Sequence, residues 1–174
     1  MIPNLKEEWK KSSALRYEEH FHETIVNAFC QWQSSTDSGR NERGRVFNAG
    51  YEVFLYAFFI GLFRNERRPL VGKGKSFSMY ISDLGNVSQR GTNRKKYTEL
   101  VLRYVYAALL TKTDLDLVEY DLGHIKSDDA VNMLMTTLNE YANAGFYAIH
   151  EKMEENPDYF LNDMNILEFV GVNR

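Results

Sequence analysis

The first third of the chain repeats apolar residues at the spacing of an α-helix. Intervals of three and four place them on one stripe, which predicts an amphipathic helix from about Leu15 to Gln33. The residues of this stripe are Phe21, Ile25, Phe29 and Trp32. The next residues, 34–45, lack large apolar side chains and are rich in turn formers, so we expect a mobile loop there.

A second stretch, Asn48 to Phe63, is apolar on nearly every side. A helix of this kind is covered by neighbours all round, so the stretch predicts the central helix of a core. A membrane-spanning helix needs about 20 apolar residues, whereas this run is shorter and contains Glu52. We therefore expect no membrane association.

The helical pattern breaks between residues 64 and 93. This segment contains Pro69 and four glycines among many basic residues, which predicts a long basic connection. A short strand at Ser78 to Ile81 is an alternative for one part of it. The Gly-Lys-Ser sequence at 74–76 resembles the end of a phosphate-binding P-loop, but Pro69 occupies the position of the first glycine and an apolar helix replaces the preceding strand. We therefore do not expect nucleotide hydrolysis.

Two further helices follow this connection. The first is predicted from about Arg94 to Thr111, and its stripe comprises Tyr97, Leu100, Val101, Tyr104, Val105 and Ala108. Asp114 to Tyr120 fits either a short strand or a helical turn. Ser127, which precedes two aspartates, is typical of an N-cap. It predicts a long helix that continues to Asn156 and is stopped by Pro157.

These patterns predict an all-α or mainly α protein with a single domain at 1–174. We expect four to five helices around the Asn48–Phe63 helix, with strands as minor additions. The composition agrees, because 174 residues suffice for one ordinary core. A hydrophobic content of 44% with only 3 Pro excludes disordered and fibrous classes.

Candidate catalytic and metal-binding residues are few. Cys30 lies beside the first apolar stripe, so we predict a buried small hydrophobe rather than a nucleophile. Acidic and histidine residues at 18–23 point in different directions on the predicted helix, which indicates a solvated face and no metal site. We expect no cofactor and favour a non-enzymatic role. A small hydrolase in which His124, His150 or Cys30 meets carboxylates is the alternative.

The cysteine content also bears on the cellular compartment in which the protein works. One cysteine excludes an intramolecular disulfide. The N-terminal residues contain no apolar stretch typical of a signal peptide. We therefore expect a reducing, cytoplasmic environment.

Charge is segregated along the chain although the formal net charge is only -3. Residues 40–103 contain 13 Lys and Arg against 5 Asp and Glu, whereas residues 104–174 contain 4 against 13. This asymmetry indicates an interaction surface of one sign, unless the two regions neutralise each other within the chain. We predict contact with DNA or an acidic protein through Arg64, Arg67, Arg68, Lys73, Lys75, Arg90, Arg94, Lys95 and Lys96.

Two segments of the chain carry distinctive patterns. The first, Val46 to Leu70 (VFNAGYEVFLYAFFIGLFRNERRPL), reads as an apolar helix with a glycine near its end that runs into a basic turn containing proline. The second, Leu138 to Ile149 (LNEYANAGFYAI), reads as an acidic and aromatic helix with small residues. In this order the two segments resemble small accessory proteins associated with bacterial DNA phosphorothioation (Dnd) systems. The matching positions are Gly61, Arg67, Arg68, Pro69, Tyr141, Ala142, Asn143 and Gly145.

The resemblance implies an accessory protein of a bacterial DNA-modification or restriction locus, working beside larger enzymes. It transfers no catalytic residue to this chain. Gly61 and Gly145 would allow neighbouring helices to approach closely, at a helix-propensity cost of about 1 kcal/mol each relative to Ala. We therefore predict a non-enzymatic binding protein of a defence system. The alternative is a self-associating structural protein, in which residues 40–103 of one copy face residues 104–174 of the next.

Overall fold

The computed structural model describes residues 4–30, 47, 49–86 and 94–171. Within these ranges the protein is mainly helical, as predicted, with a single antiparallel pair of short strands. The α-helices are α1 (Leu5–Lys10), α2 (Ala28–Cys30), α3 (Gly50–Arg64), α4 (Lys95–Lys112), α5 (Leu117–Asp121), α6 (Ser127–Glu155) and α7 (Asp163–Phe169). The strands are β1 (Arg16–Glu18) and β2 (Gly74–Ser76), and single turns of other helix types lie at His22–Asn27, Ile81–Asp83 and Tyr159–Leu161.

The chain divides into two compact units, each built from two separate segments. Unit 1 comprises Met1–Ala14 and Phe77–Leu138, and unit 2 comprises Leu15–Ser76 and Asn139–Arg174. Helix α6 begins in unit 1 and ends in unit 2. The single domain predicted for the whole chain stays a prediction.

The core of unit 1 forms where α1 meets α4. Trp9 is completely buried and its ring lies 5.3 Å from that of Tyr106. The turn at Ile81–Asp83, a 3₁₀ helix, is hydrogen-bonded to the N-terminal segment of unit 1. The Ile81 backbone N–H donates to the Ser12 carbonyl at 2.9 Å. The buried side of α4 comprises Thr98, Leu102, Val105 and Leu109.

The helix predicted at Arg94–Thr111 is confirmed, but the predicted burial of its apolar stripe is wrong for three of the six residues. Tyr97, Leu100 and Tyr104 are exposed, because the elements of unit 1 cover the other side of the helix. Periodicity identified the helix without showing which of two apolar stripes would face the core.

The structure also decides two other predictions for this part of the chain: the conformation of Asp114–Tyr120 and the limits of the long helix. Asp114 to Tyr120 contains a helical turn, α5, because the Asp116 carboxylate caps it by accepting bonds from the next turn's backbone N–H groups. Ser127 is the first helical residue of α6 rather than its N-cap, as the Ala130 N–H already donates to the Lys126 carbonyl. The long helix ends at Glu155, close to the prediction.

Unit 2 contains the clearest failure of the local pattern. The predicted helix from Leu15 is wrong at its start, because Arg16–Glu18 form strand β1 and pair antiparallel with Gly74–Ser76. The alternative strand at Ser78–Ile81 is also wrong, since β2 lies earlier. Backbone pairing with a segment distant in sequence outweighs a helical pattern that extends over only a few residues.

Within the described residues the rest of that prediction is confirmed as helix over 22–30, but His22–Asn27 are π-helical and only Ala28–Cys30 are α-helical. Phe21, Ile25 and Phe29 are buried, as expected for the apolar stripe. The end of the predicted helix at Trp32 and Gln33 and the loop predicted at 34–45 lie outside the described residues.

Helices α3 and α6 cross at two glycines. A Cβ atom on Gly61 would overlap the Tyr141 carbonyl oxygen, and one on Gly145 would overlap the Ala57 carbonyl oxygen. The predicted close approach at both glycines is therefore confirmed. It brings the buried helix α3 against the C-terminal half of α6 and fixes the position of the turn that follows α3.

Candidate functional site

Helix α3 ends in a basic turn, residues 65–71, that leaves the helix abruptly. Asn65 adopts a left-handed conformation with φ 53°, and its N–H caps the helix by donating to the carbonyls of Gly61 and Leu62. The Glu66 N–H donates to the Gly61 carbonyl as well. This cap turns the chain across the face of α6.

The backbone of the basic turn is held by α6. The Arg68 N–H donates to the Glu140 carbonyl at 3.1 Å. The Asn143 side-chain Nδ2 donates to the carbonyls of Arg68 and Pro69, each at 3.2 Å. These bonds fix a segment that has no regular secondary structure of its own.

A buried carboxylate holds the other end of the turn. Glu18 of β1 is only 3% exposed, and its Oε1 accepts hydrogen bonds from the Val71 N–H at 3.0 Å and from Asn143 Nδ2 at 2.9 Å. Its Oε2 accepts one from the Tyr147 hydroxyl at 2.8 Å and lies 3.5 Å from His20 Nδ1. Both oxygens are thus satisfied inside the protein.

These donors determine the protonation state of the buried carboxylate. Burial by itself raises the pKa of Glu18, but the hydrogen bonds from Asn143, Val71 and Tyr147 and the nearby His20 outweigh it. The pKa of Glu18 therefore lies below its ordinary value of 4.5. The group is charged at neutral pH.

Tyr147 joins this carboxylate to the arginines. The hydrogen bond to Glu18, together with burial, raises the pKa of Tyr147 above its ordinary value. The Arg68 guanidinium lies over the Tyr147 ring, 3.5 Å from its centroid. The hydrogen bond to Glu18 thus fixes the Tyr147 ring, and the ring in turn supports the Arg68 guanidinium.

Three predicted arginines come together along one groove, which we call the arginine groove. Its volume is about 280 Å³, and its lining residues are Arg64, Glu66, Arg67, Arg68, Ala144, Tyr147, Ala148 and Glu151. Arg64 lies over the Phe169 ring at 4.9 Å. Arg67 is paired with Glu140, with contacts of 2.8 and 2.9 Å.

The other predicted basic residues have different surroundings. Lys73 forms an exposed ion pair with Glu19 at 2.9 Å, and Lys75 lies on β2 opposite Tyr17. Arg94, Lys95 and Lys96 lie at the start of α4 in unit 1, and Arg90 lies outside the described residues. Of the predicted basic residues that the structure describes, only Arg64, Arg67 and Arg68 line this groove.

The candidate catalytic and metal-binding residues lie in different environments, some buried and some exposed. Cys30 is buried, as predicted. The solvated helix face predicted at 18–23 is wrong for Glu18, because β1 directs this side chain inward. His124, named in the hydrolase alternative, forms an exposed 2.7 Å contact with Glu119. Among the described residues no group of three or more His, Cys, Asp or Glu side chains is placed to hold a metal ion.

Sequence reasoning missed the roles of the three polar residues at the centre of this arrangement: the helical pattern places Glu18 on a solvated face, Asn143 is named only as a matching position of the resemblance, and Tyr147 is not singled out. Asn143 carried a usable signal, since it is an amide inside an otherwise apolar helical stretch, and such a residue needs partners when buried. Glu18 carried none, because its burial depends on pairing with a strand more than fifty residues away.

Comparison with known proteins identifies no relative. No family model matches the chain, and neither a curated protein nor a solved structure is significantly similar to it. In the part of the chain that the structure describes, none of the helices combines the length and the apolar character needed to cross a membrane.

Proposed function

We propose that this protein is a non-enzymatic, cytoplasmic accessory module of a bacterial DNA-modification or defence system, which contacts the DNA backbone through the arginine groove. The observation that carries the proposal is that Arg64 and Arg68 both line one groove and that each lies over an aromatic ring, Phe169 and Tyr147 respectively. The resemblance of two segments to Dnd-associated proteins supplies the biological setting.

Stacking suits an arginine to phosphate recognition. A guanidinium held by its face keeps its N–H donors in the plane of the group, where they can meet two oxygens of one phosphate. The Arg68 guanidinium carbon lies 3.5 Å from the Tyr147 ring centroid and that of Arg64 lies 4.9 Å from the Phe169 ring centroid, so each arginine lies over an aromatic ring. Both side chains are therefore oriented before a ligand arrives, which lowers the entropy cost of binding.

The backbone that carries these arginines is also fixed in advance. Asn143, Glu140 and Glu18 together hold the basic turn by its N–H and carbonyl groups. A contact made only through phosphates carries no sequence information. We therefore expect binding that does not discriminate between sequences, as suits a protein that supports a larger enzyme.

The carboxylates of the groove limit its affinity. Glu66 and Glu151 line it beside the arginines, and Glu140 already neutralises part of the charge on Arg67. Few phosphates can therefore be contacted at once, and the salt dependence of binding should be shallow. The net charge of the groove, rather than the net positive charge of residues 40–103, therefore sets the expected affinity for DNA.

The test is fluorescence anisotropy with labelled duplex DNA across a salt series. We compare the wild type with a variant carrying Arg64→Gln and Arg68→Gln. The wild type should bind more weakly as salt rises, and the variant should lose affinity and reduce the slope of log K against log salt by about 1 for each phosphate contact removed.

The matched control carries Lys11→Gln and Lys126→Gln. It removes the same charge from two exposed positions outside the groove and should keep the wild-type slope. Equal losses in both variants would show a response to net charge and would reject the groove. Absence of binding at low salt would reject DNA as the ligand, and binding of an acidic peptide in the same assay would then favour a protein partner.

A further inference from the structure

A cavity of about 430 Å³ in unit 1 is lined by α1, by the turn at Ile81–Asp83 and by the first half of α4. It shares no lining residue with the arginine groove. Binding sites for small organic molecules are usually clefts of roughly 300–1,000 Å³. The size of this cavity therefore suits one small molecule.

The inner end of the cavity is apolar. Trp9, Leu84 and Leu102 close it, and each of them is at most 7% exposed. The Trp9 indole N–H donates to no acceptor among the described residues, although buried donors are normally paired. This end therefore suits a flat apolar group that itself carries hydrogen-bond acceptors, whereas the hydroxyl groups of a sugar would lose their hydrogen bonds to water there.

Basic side chains line much of the rest of the cavity. The carboxylates of the lining are Glu7 and Glu99, and Glu8 pairs with Lys11 from outside the lining. With Glu8 included, five cations lie beside three carboxylates, which leaves two positive charges for a ligand to neutralise. The five cations are Lys6, Lys10, Lys11, Lys95 and Arg103.

The carboxylates that pair with two of these lysines can be exchanged for a ligand. The Lys10–Glu7 and Lys11–Glu8 contacts, at 3.0 and 2.7 Å, join partly exposed side chains of neighbouring helical turns. Ion pairs that water screens contribute little to stability. An anion that enters the cavity therefore replaces such a carboxylate at small cost.

The surplus of positive charge indicates a phosphate group. A phosphate monoester carries about −1.5 to −2 charges at neutral pH and three acceptor oxygens, whereas a carboxylate carries one negative charge. Lysines bind phosphate as point charges, so they need no fixed bidentate geometry. A phosphate joined to a flat group with hydrogen-bond acceptors is the chemistry of a nucleotide.

We propose that this cavity binds a single nucleotide, with its base towards Trp9 and Leu102 and its phosphate among the lysines and Arg103. Binding involves no bond cleavage. It does not depend on the arginine groove, because the two sites have no residue in common.

Isothermal titration calorimetry of the full chain with AMP, GMP, CMP and UMP tests this assignment. At least one of the four should bind at least about tenfold more tightly than inorganic phosphate and than its own nucleoside, because only the nucleotide occupies both ends of the cavity. No binding of any of the four, or binding no tighter than that of inorganic phosphate, would overturn the nucleotide site.

Two variants test the location of the site. Lys95→Gln with Arg103→Gln removes two exposed cations of the cavity and should weaken nucleotide binding at least about tenfold. Ser82→Phe places a large side chain at an exposed position of the lining and should weaken binding without any change of charge. Wild-type affinity in either variant would reject this cavity as the site.

The matched control carries Lys96→Gln and Lys126→Gln, two exposed cations of unit 1 outside the cavity. It should bind the nucleotide like the wild type, and an equal loss in this control would show a response to net charge alone and reject the cavity. Circular dichroism verifies that every variant keeps its helix content. The variant with Arg64→Gln and Arg68→Gln should keep its nucleotide affinity, which separates this site from DNA binding at the groove.

Discussion

At the scale of single residues, Glu18 does the most to fix the proposed site. A carboxylate that is 3% exposed is costly unless its oxygens are satisfied. Here three donors from two other parts of unit 2 meet it: Val71 of the basic turn, and Asn143 and Tyr147 of α6. The residue therefore joins β1, the basic turn and α6 through hydrogen bonds instead of apolar packing.

Tyr147→Phe should destabilise the protein by roughly 1.5 kcal/mol, near the lower end of the range for a hydrogen bond to a charged group. The ring that supports Arg68 remains, but Glu18 loses its 2.8 Å donor. Denaturant unfolding measures the change. Tyr80→Phe, at an exposed tyrosine, should have no measurable effect, and equal midpoints for both variants would show that the hydroxyl contributes nothing.

Acid should selectively weaken the contribution of Glu18. Because the folded protein lowers the pKa of this carboxyl, its contribution is present above the ordinary pKa of 4.5 and is lost as the pH falls through the lowered pKa. Glu18→Gln cannot titrate. The stability difference between wild type and Glu18→Gln, measured from urea midpoints, should therefore narrow from neutral to acid pH. A constant difference would contradict the assigned pKa direction.

At the scale of elements, the crossing of α3 and α6 positions the groove. Two glycines allow the helices to meet backbone to backbone. The basic turn follows directly from one helix and is bonded to the other. A change in the distance between these helices therefore displaces the arginines, since their backbone is attached to both.

Gly145→Ala should destabilise the protein by about 1–3 kcal/mol or more, because the added methyl group meets the Ala57 carbonyl. The direction of the change in stability is informative, since Gly→Ala at an exposed helix position with no close neighbour stabilises by about 1 kcal/mol. Gly74→Ala is the control, because its Cβ would lie at an ordinary 3.8 Å from the Tyr17 carbonyl. Thermal unfolding compares the two, and a stabilised Gly145→Ala would contradict the crossing.

At the scale of the whole molecule, each compact unit depends on segments that are distant in sequence. Unit 1 needs the first 14 residues as well as residues 77–138, and unit 2 is likewise discontinuous. The charge asymmetry also belongs to this scale. Basic and acidic regions that are separate along the chain meet inside unit 2, where Arg67 pairs with Glu140 and Arg64 lies in a groove with Glu151.

Trp9→Ala should cost about 3–5 kcal/mol, because it removes a completely buried ring from the core of unit 1. Hydrogen exchange followed by mass spectrometry should show lost protection in α4, around Leu102 and Val105, although the substitution lies some ninety residues earlier in the chain. Tyr80→Ala, an exposed aromatic of the same unit, should leave α4 protected. Unchanged exchange in α4 for Trp9→Ala would refute this dependence.

The sequence alone determined the helical class, the buried helix α3, the positions of α4 and α6 and the burial of Cys30. These depend on local spacing or on the size of one residue, and both are properties of the chain itself. The concentration of basic charge in residues 40–103 also selected Arg64, Arg67 and Arg68, together with Arg90, which lies outside the described residues, and with five residues that the structure places elsewhere: Lys73, Lys75, Arg94, Lys95 and Lys96.

The tertiary structure alone decided what local patterns leave open. Pairing of β1 with β2 made Glu18 a buried carboxylate, packing in unit 1 chose which stripe of α4 faces the core, and the crossing of α3 and α6 brought Tyr147 beneath Arg68. Each outcome depends on contacts between residues far apart in sequence, whose energies no local window contains.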